Sequence, residues 1–209
     1  MTEQQPYEVL GAFPGFELRL YPAHLVAQVT VHSVLGAAGS TAFRYLFGYI
    51  SGQNTSGQHT PGQDTPAQDT PAQDTPAPDP AGELFGTQGA GSARPAQRIP
   101  MTAPVLLQAE SLADTYTVAF VLPESMSINT APTPDDPAVS LVVMPEARGA
   151  ALGFAGRWTD RNCMDHARAL GEAVASAGLT PQGHPRFALF DPPYKPWFLR
   201  RNEVIQPVL

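Results

Sequence analysis

Five histidines, one cysteine, a proline-flanked methionine and a strand glutamate are the residues of this 209-residue chain best equipped for chemistry. Imidazole, thiolate and thioether groups ligate transition metals, and a carboxylate set in a strand can receive a cation or move a proton. Their placement argues against a metal site. His24 stands at a strand–strand turn, His32 at a strand end and His59 in a low-complexity tract. His166 lies off the packing stripe of its helix, and His184 sits in the loop Gly183-His184-Pro185. No two are spaced as a paired ligand set. Cys163 falls on a helical packing stripe, which makes it a core residue, and no histidine can be assigned to it as a base. The chain has no Gly-x-Ser-x-Gly elbow, no glycine-rich phosphate loop and no His-Glu-x-x-His. It is expected to bind rather than to catalyse. Glu203 stands two residues after Arg201 in the last strand, so the two share a face. A buried carboxylate there is expected to be paired.

Composition narrows the partners. A net charge of −7 argues against nucleic acid and against an anionic membrane surface. A single cysteine excludes an internal disulfide and fits a reducing compartment. The start Met1-Thr-Glu-Gln-Gln-Pro6 has no basic region followed by an apolar one, and no apolar run reaches the length of a membrane span. The expectations are a cytoplasmic location, no membrane or nucleic-acid partner, and a monomer.

The elements that must position these residues are legible from periodicity. Tyr7–Leu10 is expected to pair at an edge, and Phe16–Tyr21 alternates apolar and polar, as a half-buried strand does. Leu25–Val31 is a second strand, rich in β-branched residues. Ser40 is the expected N-cap of a helix over 41–50, with Gly52 in the stop position. Phe43, Leu46 and Ile50 form its stripe, and Phe47, Tyr45 and Tyr49 add apolar bulk beyond what one sheet contact needs. Residues 55–97 then change character. Thr60-Pro-Gly-Gln-Asp64 opens four copies of a five-residue unit that ends at Asp79. So little apolar material cannot offset its ordering entropy, which predicts a disordered loop interrupting one domain. Without it about 165 residues remain, enough for one core. Strands are expected at 104–109, 115–122, 138–144 and 149–155, with loop over 123–137. Thr159 or Asp160 caps a helix that reaches Ala177 on the stripe Cys163, Ala167, Leu170, Val174, Ala177 and stops at Gly178. Strands near 186–190 and 197–205 follow. Each half reads strand, strand, helix, strand, strand. That duplication predicts an α+β fold, a distorted antiparallel β-barrel carrying two helices.

The chain is organised around Ile99-Pro-Met-Thr-Ala-Pro-Val105, where two prolines hold Ile99 and Ala103 in extended geometry at a strand start or edge. Met101-Thr-Ala-Pro-Val105 resembles the central signature of the SOUL haem-binding protein family. Tyr49-Ile50-x-Gly52-x-Asn54, Phe120-Val-Leu-Pro123, Pro132-x-Pro134, Phe154-Ala-Gly156, Asp191-Pro-Pro-Tyr-Lys-Pro196 and Arg200-Arg-Asn-Glu-Val204 follow the family's order. The resemblance implies two strand-helix-strand-strand repeats. It further implies that haem, or another tetrapyrrole or hydrophobic planar ligand, binds in an apolar groove beside the first helix. The groove face would be Phe43, Leu46, Phe47 and Ile50, opposed by the loop Asp191–Trp197 with Tyr194, Lys195 and Trp197. Arg44 and Lys195 are the cations available to propionates, since Ser40 and Gly48 stand where some relatives carry basic residues. No residue stands out as a strong axial ligand to iron, so shape and apolar contact should dominate.

A second resemblance concerns the chain end. Glu203-Val-Ile-Gln-Pro-Val208 is similar to the last strand of bacterial multidrug-effector-binding domains, where a glutamate meets cationic aromatic compounds and some members are hydrolytic. It implies an alternative pocket centred on Glu203. The residue-level alternative is that Arg200, Arg201 and Glu203 form structural ion pairs.

Overall fold

The computed structural model describes residues 2–56, 96–110, 114–192 and 194–209. The repeats at 60–79 and most of the expected 55–97 insert lie outside the described residues, and with them the expectation of disorder. The first half contains β1 (Glu3–Gln4), β2 (Glu8–Phe13), β3 (Phe16–Tyr21), β4 (His24–His32), α1 (Leu35–Ser51) and β5 (Asn54–Thr55). After the tract come β6 (Thr102–Ala103), β7 (Val105–Ala109), β8 (Thr115–Val121) and β9 (Thr133–Pro134). The second half contains β10 (Ser140–Met144), β11 (Ala147–Phe154), α2 (Asp160–Ser176), β12 (Arg186–Leu189), a 3₁₀ turn at Trp197–Leu199 and β13 (Asn202–Val208).

Nine strands form one antiparallel sheet in the order β10-β4-β8-β7-β12-β13-β11-β3-β2. The expected duplication is visible in that order. Strands β4, β8 and β7 of the first half abut β12, β13 and β11 of the second, with β7 and β12 paired at the centre. The halves also exchange their first strands, because β3 pairs with β11 and β10 pairs with β4. Neither half is therefore complete alone. The ladder order runs from β10 to β2, and no ladder among the described residues joins those two edges.

Alternation along each strand sends side chains to two buried faces. One face meets α1 and α2 and builds the larger core, which includes Leu35, Leu46, Tyr49, Leu107, Val118, Phe120, Leu170 and Val204. The other face gathers Tyr21, Val26, Leu106, Val121, Ala188 and Ile205. Strand β3 was expected to be half-buried, yet Arg19 on its polar side is only 5% exposed. The second face covers it. Gly149 in β11 makes room there, since a Cβ at this position would lie 2.9 Å from Ile205 Cγ2 and 3.2 Å from the Tyr21 ring.

Helix α1 begins at Leu35, six residues before the expected first turn, so Ser40 is an interior residue and no cap. The reason is tertiary. Val34 occupies the N-cap without a side-chain bond, and the amide of Gly36 donates instead to Asp160 Oδ1 of α2 at 2.8 Å. That contact satisfies an orphan N–H and sets an acidic group at a helix N-terminus. Ala38 and Ala42, both fully buried, let this small-residue turn approach the sheet closely. The other end follows expectation, with Gly52 left-handed at φ +116°. In α2, Thr159 is the cap and accepts from the Asn162 amide, and Cys163, Leu170 and Val174 of the predicted stripe are buried. The last expected strand starts later than predicted. Residues Trp197–Leu199 turn as a 3₁₀ helix after Pro196, and pairing resumes at Asn202.

The Asn54 side chain and one backbone bond hold together the described flanks of the repeat tract. Asn54 donates to the carbonyls of Tyr49 and Gln97, each at 2.7 Å, and accepts from the Gln97 amide at 2.9 Å. Ile99 N–H adds a bond to the Ile50 carbonyl at 2.8 Å. Thr55 pairs with Thr133 in a short ladder, so the tract starts later than the predicted residue 55. With its ends fixed by the body, the tract should be dispensable. Replacing 57–95 by a short Gly/Ser linker should leave Tm nearly unchanged, as a doubling of loop length costs only about 0.6 kcal/mol. Asn54→Ala should instead cost about 2 kcal/mol, because it strands buried carbonyl and amide groups. Denaturant melts of both variants check the pair of outcomes.

Candidate functional site

The four residues expected to line one groove face divide into two pairs. Leu46 is fully buried and Ile50 is 5% exposed, so both belong to the core beneath α1. Phe43 and Phe47 are 42% and 45% exposed and lie one turn apart. Their rings stack with centroids 5.2 Å apart and an interplanar angle of 15°. Phe43 also meets the edge of Phe120 in β8, centroids 5.9 Å apart, which ties the exposed pair to the sheet. Beside them Arg44 lies over the Tyr45 ring and donates to its hydroxyl. Met101 of the proline-flanked stretch is 41% exposed.

The loop expected to oppose this face is braced by its own Asp191 and by the start of the last strand. Asp191 accepts from Lys195 Nζ at 2.7 Å and from the Arg201 amide at 2.6 Å. Burial alone would raise the Asp191 carboxyl pKa, but these two donors outweigh it and hold it below the ordinary range. Trp197 packs edge-on against Phe198 and under Arg157. The loop still presents Tyr194, Trp197, Phe198 and Leu199 to solvent, all at least 47% exposed.

Among the described residues the candidate metal ligands are engaged or apart, and His59 lies outside those residues. His24 bonds the Pro22 carbonyl and Gln5, and burial pushes its pKa down. His32 bonds Thr115. His166 bonds the Asn162 carbonyl and stacks on Phe154 at 4.3 Å, a packing role that its off-stripe position concealed. Cys163 is fully buried, with its thiol pushed up to about 12 by burial and by Asp160. Among the described residues no three His, Cys, Asp or Glu side chains form a group able to hold a metal ion.

Glu203 is 2% exposed on the second sheet face. Its predicted partner Arg201 is present, with Nη2 to Oε1 at 2.6 Å. A second partner was not foreseen. Arg19 Nη1 in β3 donates to Oε2 at 2.8 Å, and Glu17 and the Tyr7 ring complete the cluster. The signal was present as Glu17-x-Arg19-x-Tyr21 on one strand face, but the register that brings β3 within reach of β13 through β11 is not local. Burial opposes the charge of Arg19, and Glu203 and Tyr21 outweigh it, so the guanidinium is held firmly protonated. A cation entering here would have to displace an arginine, so the geometry favours the structural role.

The described surface also carries small concavities. One of about 90 Å³ lies between β1 and the start of β4, and one of about 40 Å³ lies on the second sheet face. Both are small beside the roughly 300–1,000 Å³ that encloses a ligand of drug size. Glu203→Gln should lower stability by about 1–3 kcal/mol, because Arg201 loses its counter-charge and the buried Arg19 keeps only that of the partly exposed Glu17. Urea melts check it. Asp191 gives a pH signature of opposite origin. Its pKa is lower in the fold than the unfolded 3.8, so its contribution is present above about pH 4 and is lost as pH falls further. Asp191→Asn should flatten that acid limb of the Tm–pH curve.

No curated protein matches the sequence. Among solved structures, the C-terminal domain of EcmrR aligns with a TM-score of 0.58 at 10% identity, covering 97% of this chain and 98% of that one. A hydrolase from Listeria innocua aligns at 0.54 and 10% identity, covering 96% and 94%. An uncharacterized conserved protein from Listeria innocua aligns at 0.52 and 10% identity, covering 99% and 94%. At these identities the likeness is one of fold. The family model of the SOUL heme-binding proteins matches residues 2–80 and 84–207, nearly the full length. The chain belongs to the SOUL haem-binding protein family.

Proposed function

We propose that the chain binds haem or a related flat hydrophobic ligand on the exposed aromatic face of α1, by shape and apolar contact. The observation that carries this reading is the solvent-exposed Phe43–Phe47 stack on a helix whose other bulky apolar positions are largely buried. A planar macrocycle offers the offset or edge contacts that such rings favour. With about 200 Å² per phenylalanine, the pair leaves roughly 170 Å² uncovered, an apolar gain of about 4 kcal/mol on burial. Micromolar binding needs about 8 kcal/mol, so one wall is insufficient. The exposed residues Tyr194 and Trp197 are the second wall in this reading, closing over the ligand from the Asp191–Trp197 loop.

Haem would bring a flat macrocycle, an iron and two propionates. The described residues fit its faces better than its iron, since His24, His32 and His166 are each engaged in a hydrogen bond and Cys163 is buried and held as a thiol. Arg44 and Lys195 are the propionate contacts in this reading. Each would leave an existing partner, Tyr45 or Asp191, and an exposed ion pair contributes only about 0.2–1 kcal/mol. Anion pairing therefore tunes binding and does not drive it.

Metal-free protoporphyrin should then bind within about tenfold of haem, a difference near 1.4 kcal/mol. Absorbance and fluorescence titrations of the full chain check this. A strong preference for haem that a single histidine-to-alanine change abolishes would reject the reading.

A further inference from the structure

Arg186 in β12 is 8% exposed, and among the buried side-chain nitrogens and oxygens of the described residues its Nε is the one without a hydrogen-bond partner. No carboxylate among the described residues forms an ion pair with it. It lies over the Tyr21 ring at 5.0 Å, and its register partners are Gln108 in β7 and Ile205 in β13. It also lines the 40 Å³ concavity on the second sheet face, together with Gln28, Gln108, Thr117, Val26 and Met144. The nearby charges are committed elsewhere. Glu203 is held by Arg19 and Arg201, and Glu110 accepts from Thr117 Oγ1 at 2.6 Å.

A guanidinium presents a planar fork of donors matched to a carboxylate, and burying one without a counter-charge is costly. Burial indeed pushes the Arg186 pKa down. A protein keeps such a group most readily where something binds it. The concavity has room for a head group of a few heavy atoms, with two amides at hand as further donors and an apolar rim formed by Val26 and Met144. We propose that the second sheet face carries a site for a small organic carboxylate, gripped by Arg186, flanked by Gln28 and Gln108, and seating the acid's apolar part on Val26 and Met144. It lies across the sheet from the Phe43–Phe47 face, so it stands or falls separately from tetrapyrrole binding.

Calorimetric titration of the full chain with benzoate, and in parallel with inorganic phosphate, tests the site. Benzoate should bind saturably at one site with Kd below about 10 mM, and phosphate at least about tenfold more weakly. Arg186→Gln should weaken benzoate by about tenfold or more, as loss of a charge-assisted fork requires. Arg186→Lys should recover only part of it. Arg186→Met should leave Tm unchanged or raise it without ligand, since the group it removes is unpaired. Absence of saturable benzoate binding, equal or tighter phosphate binding, or affinity unaltered in Arg186→Gln would overturn the proposal. So would a marked fall in Tm in Arg186→Met matched by Glu110→Gln, which would make Glu110 the resident partner.

Discussion

Strand β13 is buried on both faces, and that constraint reaches most of the molecule. A strand with water on neither side cannot leave a polar side chain unanswered. Asn202 donates to the Gly156 carbonyl, Glu203 is held by Arg19 and Arg201, and Gln206 donates to the carbonyls of Gln182 and Gly183. These bonds bring β3, the turn after β11 and the loop before β12 to one strand. The exchange of first strands between the halves makes this possible, because β3 reaches the cluster only by pairing with β11. Val204 on the opposite face is fully buried in the larger core beneath the helices. The strand thus ties the two cores together.

Against this background the family's signature residues are mostly scaffold. Tyr49 donates to the Pro132 carbonyl, Asn54 pairs with Pro134 and closes the base of the repeat tract, and Thr102 bonds the Val121 carbonyl. The stretch Met101–Val105 receives the N-terminal strand, with Glu3 opposite Thr102 and the Gln5 amide on the Ala103 carbonyl. The Pro132–Pro134 segment and residues 97–99 thus meet the C-terminal end of α1. Tyr49 and Asn54 tie the helix end to these segments, while Phe43 and Phe47 further up the helix stay exposed.

The duplicated order of strands and helices was legible because apolar periodicity is a local property. The stripe of α2 and the glycine stops at Gly52 and Gly178 followed from spacing alone. What escaped depended on distant register. The start of α1 needed Asp160, which lies 124 positions away in the chain. The second partner of Glu203 needed Arg19, 184 positions away. In the expected groove face, sequence grouped Phe43, Leu46, Phe47 and Ile50 as one surface, since all are apolar and within about two turns. Which pair faces the core depends on how the helix rolls on the sheet, and close approach at Ala38 and Ala42 turns Leu46 and Ile50 inward.

The central claim is that a planar ligand sits on the aromatic pair of α1, and the most direct test is a protoporphyrin titration of the Phe43→Ser/Phe47→Ser variant. Both rings are about half exposed, so the substitutions should leave most of the core intact, which a thermal melt can verify. Affinity should fall by at least about tenfold, as loss of some 170 Å² of apolar contact requires. Unchanged affinity in a folded variant would contradict it and move the ligand to another surface.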